Sequence, residues 1–419
     1  MPNGLPGAPL SGATPSPGTL QAIRTSYLFD GERSYGPSTV LLAGSTVEDV
    51  LPGHGQLPAH IPVSDHGPGS CLLPGLIDPH THLCLNAGAA PFAHLEQSDD
   101  ATVLSEAQQA ASRSLRAGIT TVRDLGDRSF LSLALRRLGD GTAQMPEILA
   151  AGPPLTSVGG HCHSMGGAVE GQHALRASVQ ERSRHGCHTV KVMVSGGVLT
   201  HGSVPFRPQF TTAELRSVVA ESHKHGLMTA AHAHDDRSIL MAVRAGFDSV
   251  EHADFFTSDG VVPNLATIAA MARRGTYACI TLGILPGAPP LPAFISHRLP
   301  AITALTRLMH QEGVQLLAGS DAGIGPSKPH DVLPHTLAAF VAAGIQPTDA
   351  LHLATKRAAT ALQLTPRRGH IARGAHADLF AVAGDPTQDI GALRNVLAVY
   401  RGGLLVHLSP ARHTPGPVR

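Results

Sequence analysis

Two histidines one residue apart, His80 and His82, lie in the stretch Leu-Pro-Gly-Leu-Ile-Asp-Pro-His-Thr-His-Leu-Cys-Leu at 73–85. Read as a β-strand that begins after a Pro-Gly turn, the stretch aims alternate residues at one face, about 6.7 Å apart along the backbone. Two imidazoles so placed can converge on one divalent metal. Alone, the pair is also compatible with two ordinary polar strand residues. A second signal is Lys191, in His-Thr-Val-Lys-Val-Met-Val-Ser-Gly-Gly. Val190, Val192 and Val194 on one face and Met193 on the other make this text apolar on both faces, as a buried parallel strand should be. A buried, unpaired ammonium is costly, and its pKa falls. The neutral amine can then react with carbon dioxide to give a carbamate, a carboxylate able to bridge two metals. The alternative is a lysine that snorkels to the surface. Lysine is scarce here, with only Lys191, Lys224, Lys328 and Lys356 among 31 basic residues.

The text Pro-Gly-Leu-Ile-Asp-Pro-His-Thr-His resembles the first metal motif of the amidohydrolase superfamily, metal-dependent hydrolases on a (β/α)8 barrel. The resemblance runs from about residue 20 to about residue 407. It implies an α/β chain with a TIM barrel. His232, in Leu-Met-Thr-Ala-Ala-His-Ala-His-Asp-Asp, and His252, in Phe-Asp-Ser-Val-Glu-His-Ala-Asp, match the family's fifth- and sixth-strand ligands. Asp321, in Gly-Ser-Asp-Ala-Gly, matches its last ligand. The resemblance implies that His80, His82 and Asp321 hold one divalent ion, that His232 and His252 hold a second, and that carboxylated Lys191 bridges them. His234 is read as packing or as supporting a ligand. Zinc is the default ion for histidine and carboxylate ligands, with cobalt and manganese as alternatives. Two such ions lower the pKa of a bridging water toward 7 and polarise the scissile carbonyl. Asp321 can take the proton and pass it to the leaving amine, as general base and then general acid.

The elements that must position these groups are legible in outline. A helical stretch at about 101–117 ends at Gly118, and a second runs from roughly 129 to 139. A third has Thr211 or Thr212 as N-cap with Glu214 in its first turn. Helical text also runs through Pro-Thr-Asp-Ala-Leu-His-Leu-Ala-Thr-Lys-Arg-Ala-Ala-Thr-Ala-Leu, and the barrel ends near Leu364. Loops after barrel strands build the active face. They offer His161, His163, His201, Arg207, Lys328 and His330 as substrate contacts, against the simpler role of fixing the loops. Arg207 is the first choice for gripping a substrate carboxylate, because a guanidinium can do so through two hydrogen bonds.

Composition bounds the rest. The 419 residues suffice for one large barrel and a small accessory domain, and 31 basic residues balance 31 acidic ones. Nothing points to nucleic acid or an anionic membrane as partner. No apolar run approaches the ~18 residues of a membrane span. The N-terminus does not read as a signal peptide. Five scattered cysteines without a C-x-x-C pair fit a cytoplasmic location. Residues 1–18, rich in Pro, Gly, Ser and Ala, read as a disordered tail. Short strands at 19–72 and 366–411 read as one discontinuous β-sandwich built from both chain ends, flanking a barrel at 73–365.

The expected activity is metal-dependent hydrolysis of an amide or peptide bond close to a C-terminus, in a small peptide or amide substrate. Within the family, the text after Lys191 and around His232 and His252 looks most like imidazolonepropionase-related amidohydrolases and metallo-dipeptidases. Similar enzymes trim peptide natural products, including follower-peptide removal in bottromycin-type pathways. The alternatives are a cyclic-amide hydrolase or deaminase, which generally lacks the fourth-strand lysine, and a metal-free scaffold, which would have lost ligands. Family members are often dimeric or larger, and the sequence leaves oligomeric state, including a homo-oligomer, open.

Overall fold

Residues 70–81 join the two parts of the molecule. In the computed structural model, which describes residues 20–410, they form two successive strands, Ser70–Pro74 and Leu76–Thr81, with Gly75 between them. The first strand belongs to a small sheet and the second begins the barrel. The expected tail, 1–18, lies outside the described residues.

Eight parallel strands follow in chain order. They are Leu76–Thr81, Ile119–Asp124, Glu147–Ala150, Thr189–Met193, Met228–Ala233, Ser249–His252, Tyr277–Ile280 and Leu316–Ala318. The first three pair together and so do the last five. Single parallel bridges, Leu155 to Val192 and Thr81 to Ala322, link the two groups. Nearly every strand residue is buried, so the text reads as a continuous apolar run rather than an alternation.

The helices start and stop where local chemistry directs. Asp99 caps Asp100–Arg116 by accepting from the Thr102 amide, and Gly118 follows in the left-handed region at φ 83°. Thr211 and Glu214 form a reciprocal capping box on Thr212–Lys224. The last helical text behaves differently from expectation. It breaks into Pro347–Leu353 and Lys356–Ala361. The Thr355 hydroxyl donates back to the Leu351 carbonyl at 2.7 Å, and the Ile77 amide of the first barrel strand donates to the Ala354 carbonyl at 2.7 Å. Both bonds draw carbonyls away from the helical ladder.

The chain ends build two further sheets. One orders its strands as Thr46–Pro52, Ser38–Ala43, Leu20–Thr25, Val63–Asp65. The other contains Ser70–Pro74 paired with Leu379–Ala383, which in turn pairs with Val396–Arg401. Alternation gives this second sheet two apolar faces. Leu72, Leu379, Ala381 and Ala398 pack with Ile23, Val40 and Leu42 of the first sheet. Leu73, Phe380, Val382 and Val399 pack into the barrel core. Arg401 ties the sheets to the third barrel strand, reaching Asp378 and Glu147 at 2.9 Å each. Among the described residues no helix is long and apolar enough to cross a membrane.

A buried acid beside the second strand gives the fold a pH dependence. One oxygen of Asp127 accepts from the Ser132 amide at 2.7 Å, and the other has no partner. Burial, reinforced by the neighbouring Asp124 carboxylate, pushes its pKa up to about 7. The folded chain therefore binds a proton that the unfolded chain releases near pH 4, and the group's contribution to stability falls as pH rises from about 4 to about 7. Asp127→Asn keeps the shape without the charge. Urea melts between pH 5 and 7 should show the slope of stability against pH become less negative by about 1 kcal/mol per pH unit. An unchanged slope would mean that Asp127 stays ionised.

Candidate metal centre and active site

Four backbone features bring the ligand candidates together. Strand alternation places His80 and His82 on one side of the first strand, and their rings lie 5.4 Å apart. The Asp321 amide donates to the His80 carbonyl at 2.7 Å, which fixes the end of the eighth strand beside the first. Asp78 reinforces the junction by accepting from the His80 and Ser320 amides at 3.1 and 3.0 Å. Asp321 and His252 occupy the left-handed region, at φ 53° and 69°, which is strained for a residue bearing a Cβ. Gly319 allows the close approach, because a Cβ there would sit 2.8 Å from both Cys279 Sγ and the His80 Cβ.

The resulting cluster is dense. Asp321 Oδ1 lies 3.3 Å from His80 Nε2 and 3.3 Å from His82 Nε2. The His252 ring lies 5.1 Å from His80 and 4.8 Å from His232. Ligand atoms of His80, His252 and Asp321 fall within 4.8 Å of one another, as do those of His232, His234 and His252. Lys191 is 1% exposed, and among the described residues its ammonium has no hydrogen bond or ion pair. All six expected ligands, His80, His82, Lys191, His232, His252 and Asp321, line one cavity of about 680 Å³.

The donor chemistry fits divalent cations. Metal ligation needs neutral imidazoles and an ionised carboxylate. Burial, then the neighbouring imidazoles, hold His232 and His252 well below the ordinary histidine pKa. Burial alone would raise Asp321, but His80, His82 and His252 hold it well below the carboxylate range. Burial also lowers Lys191, against the pull of Glu251 and Asp321, which favours the uncharged amine that carboxylation requires.

The substrate candidates divide. His161 and Lys328 line the cavity. His161 is held by its amide on Gln209 Oε1 at 3.0 Å and by its Nδ1 on Thr200 Oγ1 at 2.8 Å. Its ring packs over Gly197, where a Cβ would meet it at 2.3 Å. Burial pushes its pKa down to about 3, so the ring is neutral. Lys328 donates to the carbonyls of Thr281 at 2.7 Å and Ser320 at 3.0 Å. The other four do not line this cavity. His163 turns outward in the short turn His163–Met165, with Nδ1 on the Gly160 carbonyl, and Met165 faces in instead. His201 and Arg207 are exposed because their loop closes on itself. Ser195 bridges Pro208, and the Gly196 amide donates to the Arg207 carbonyl at 3.0 Å. His330 is buried behind the first strand, with Nε2 3.1 Å from the His82 carbonyl. The carboxylate grip expected of Arg207 therefore has no support in its placement.

Three groups at the site carry no motif. Gln209 joins two loops, accepting from Ser157 and His161 and donating to the Met193 and Ser195 carbonyls at 2.8 Å each. His234 pairs with Asp254 at 2.8 Å and stacks on Phe256. Glu251 lies beneath His80, its Oε2 2.9 Å from His80 Nδ1, while Oε1 takes Arg123 at 3.0 Å and Ser249 at 2.6 Å. The His80 approach is close but not aligned as a hydrogen bond. An acid directly before His252 in a wholly buried strand was the only sequence sign of it. Burial opposes its ionisation, but Arg123 and His80 hold it ionised. Glu251→Gln should thus lower metal affinity by about 10–100-fold, read by titration against a chelator. Unchanged affinity would mean that His80 is oriented without it.

A parallel α/β barrel that gathers imidazoles, a carboxylate and a lysine at its strand ends has the form of a hydrolase. A model of the Amidohydrolase family matches residues 71–406, and the chain belongs to that family. It is 25% identical over 371 residues to ochratoxinase of Aspergillus niger, covering 80% of this chain and 75% of that one. It is 28% identical over 344 residues to imidazolonepropionase of Ralstonia nicotianae, covering 74% and 78%. Among solved structures, a Xaa-Pro dipeptidase with methionine bound in its active site superposes with a TM-score of 0.83 at 27% identity, covering 93% of this chain and all of that one. These likenesses give the chain a TIM-barrel fold and make it a hydrolase acting on carbon–nitrogen bonds.

Proposed function

We propose that the chain is a metal-dependent amidohydrolase that cleaves an amide or peptide bond near the C-terminal end of a small substrate. The observation that carries this reading is the convergence of His80, His82, Lys191, His232, His252 and Asp321 on one cavity wall. Two divalent ions, zinc by default, would supply an activated water and polarise the scissile carbonyl there. His80, His82 and Asp321 would hold one, His232 and His252 the other, and Lys191 as a carbamate would reach between them. The chain's own groups do the remaining work. Asp321, ionised and buried, accepts the water's proton and returns it to the leaving nitrogen. His161 is a neutral imidazole at the cavity wall, with Nδ1 2.8 Å from Thr200 Oγ1, and in the tautomer protonated at Nε2 it would donate to the substrate carbonyl. We read 73–365 as the barrel and 19–72 with 366–411 as a β-sandwich, supported by the core the two end sheets share.

A second reading, cyclic-amide hydrolysis, is favoured by the likeness to imidazolonepropionase. The unpaired Lys191 favours the first. Protein loaded with zinc, manganese or cobalt should release amino acids from a library of dipeptides and N-acyl amino acids, and chelation should stop the release. Full metal occupancy with no hydrolysis of any linear amide would leave only the cyclic-amide reading.

A further inference from the structure

One carboxylate on the cavity wall is left over from the metal centre. Asp254 lines the space two residues beyond His252 at the end of the sixth strand. The backbone around it is strained, because Ala253 and Phe255 both occupy the left-handed region, at φ 51° and 53°. Those two side chains are buried in the barrel core, and Asp254 between them faces the cavity. Its Oδ2 lies 2.8 Å from His234 Nδ1, and among the described residues Oδ1 has no hydrogen bond or ion pair. A hydrogen bond from a neutral imidazole orients a carboxylate without cancelling its charge.

No cation lining the cavity pairs with that charge. Among the described residues no arginine is there. Lys191 belongs to the metal centre. Lys328 lies within electrostatic reach of Asp254, but it donates to the Thr281 and Ser320 carbonyls at 2.7 and 3.0 Å and forms no ion pair with it. The neighbouring wall is apolar, with Phe92, Leu291, Ile295 and Ile302 facing the space. A carboxylate with an open oxygen in such surroundings is stabilised by an arriving cation. Its place says which cation. The His234 ring lies 4.4 Å from His232 and 4.8 Å from His252, so Asp254 stands one imidazole away from those two ligands. A scissile carbonyl held there carries its own α-nitrogen two bonds from the carbonyl carbon.

We propose that Asp254 binds the free α-ammonium of the residue that supplies the acyl half, so that the preferred substrates are short peptides with an unblocked N-terminus, dipeptides first. This rests on the hydrolase reading above and narrows it, because N-acyl amino acids lack the ammonium and become the poorer class. Water adds across the C–N bond, its hydroxyl going to the acyl carbon and its proton to the leaving nitrogen, so Phe-Leu gives phenylalanine and leucine.

Three compounds test it on the zinc-loaded full chain at about pH 7, where an α-amino group is mostly charged. They are Phe-Leu, 3-phenylpropanoyl-leucine, which has hydrogen in place of the ammonium, and N-acetyl-Phe-Leu, each followed by release of leucine. Phe-Leu should exceed each of the others at least about 10-fold in kcat/KM, the least that a charge-assisted hydrogen bond supplies. Asp254→Asn keeps an acceptor for His234 and removes the charge, and in it the ratio of Phe-Leu to 3-phenylpropanoyl-leucine should fall to about one, mainly through KM. That ratio is taken within one preparation, so partial misfolding, metal loss or a displaced His234 scales both rates alike. If the variant does not fold, the comparison in the parent decides alone. Either blocked compound cleaved as fast as Phe-Leu by the parent, or an unchanged ratio in a folded variant, would overturn the proposal. So would hydrolysis of other amides but none of these three. If no amide of any kind is hydrolysed, the hydrolase reading itself fails.

Discussion

Replacing Lys191 with alanine is expected to lower kcat/KM by about three orders of magnitude or more and to reduce bound metal. The magnitude follows from removing a ligand rather than a supporting contact, since charge stabilisation at such a centre amounts to several kcal/mol. The side chain is 1% exposed at the end of the fourth strand and has no partner among the described residues, so nothing else in the fold uses it. Its removal leaves a space and four imidazoles with one carboxylate to hold the metals. Lys224→Ala is the control. Lys224 is exposed on the last turn of Thr212–Lys224, and its loss should leave activity and metal content unchanged. On the proposed reading, the missing group is chemically only a carboxylate at the tip of a chain. A short carboxylic acid added with excess zinc should therefore restore part of the activity of Lys191→Ala and none of any histidine-ligand variant. Full activity with two bound metals in Lys191→Ala would end the reading of Lys191 as the bridging ligand.

Strand period made His80, His82 and Lys191 legible as ligand candidates, whereas His232, His252 and Asp321 were legible through the resemblance to the amidohydrolase superfamily. His80 and His82 share a face by alternation, and Lys191 announced itself by sitting between valines in a strand buried throughout. The Thr211–Glu214 capping box was likewise written in its spacing. Loops obey no period, and there the reading of residues went astray. Arg207 carries the right chemistry, but the direction of its side chain depends on how the loop returns. The Ser195–Pro208 bridge leaves Thr200 and Gln209 bonded to the His161 segment, with His201 and Arg207 exposed. The roles of Glu251 and Asp254 were not legible for another reason. Their roles come from partners at large sequence separation, Arg123 and His80 for one and His234 for the other, which only the assembled barrel brings within reach.

Asp321→Asn should separate proton transfer from ligation. Asparagine keeps the shape and one acceptor oxygen, so the loop after the eighth strand should hold its left-handed turn, which asparagine tolerates as readily as aspartate. Metal content should fall less than in Lys191→Ala. What disappears is the basic site. In the parent, Asp321 is kept ionised by His80, His82 and His252 and so can accept a proton at any working pH. The amide nitrogen of the variant cannot. The expected result is a loss of about 10²–10⁴-fold in kcat, with little change in KM. The size of the loss should depend on the leaving group, because a peptide amine must be protonated to depart and a nitroanilide or ester needs far less help. With one acyl half and two leaving groups, Asp321→Asn should therefore cost the activated substrate about 10-fold less than the peptide. The same loss on both would mean that Asp321 serves only to hold metal and accept the first proton, and that another group hands the proton to the nitrogen. His234, oriented by Asp254 at 2.8 Å and lining the same cavity, would then be the group to replace next.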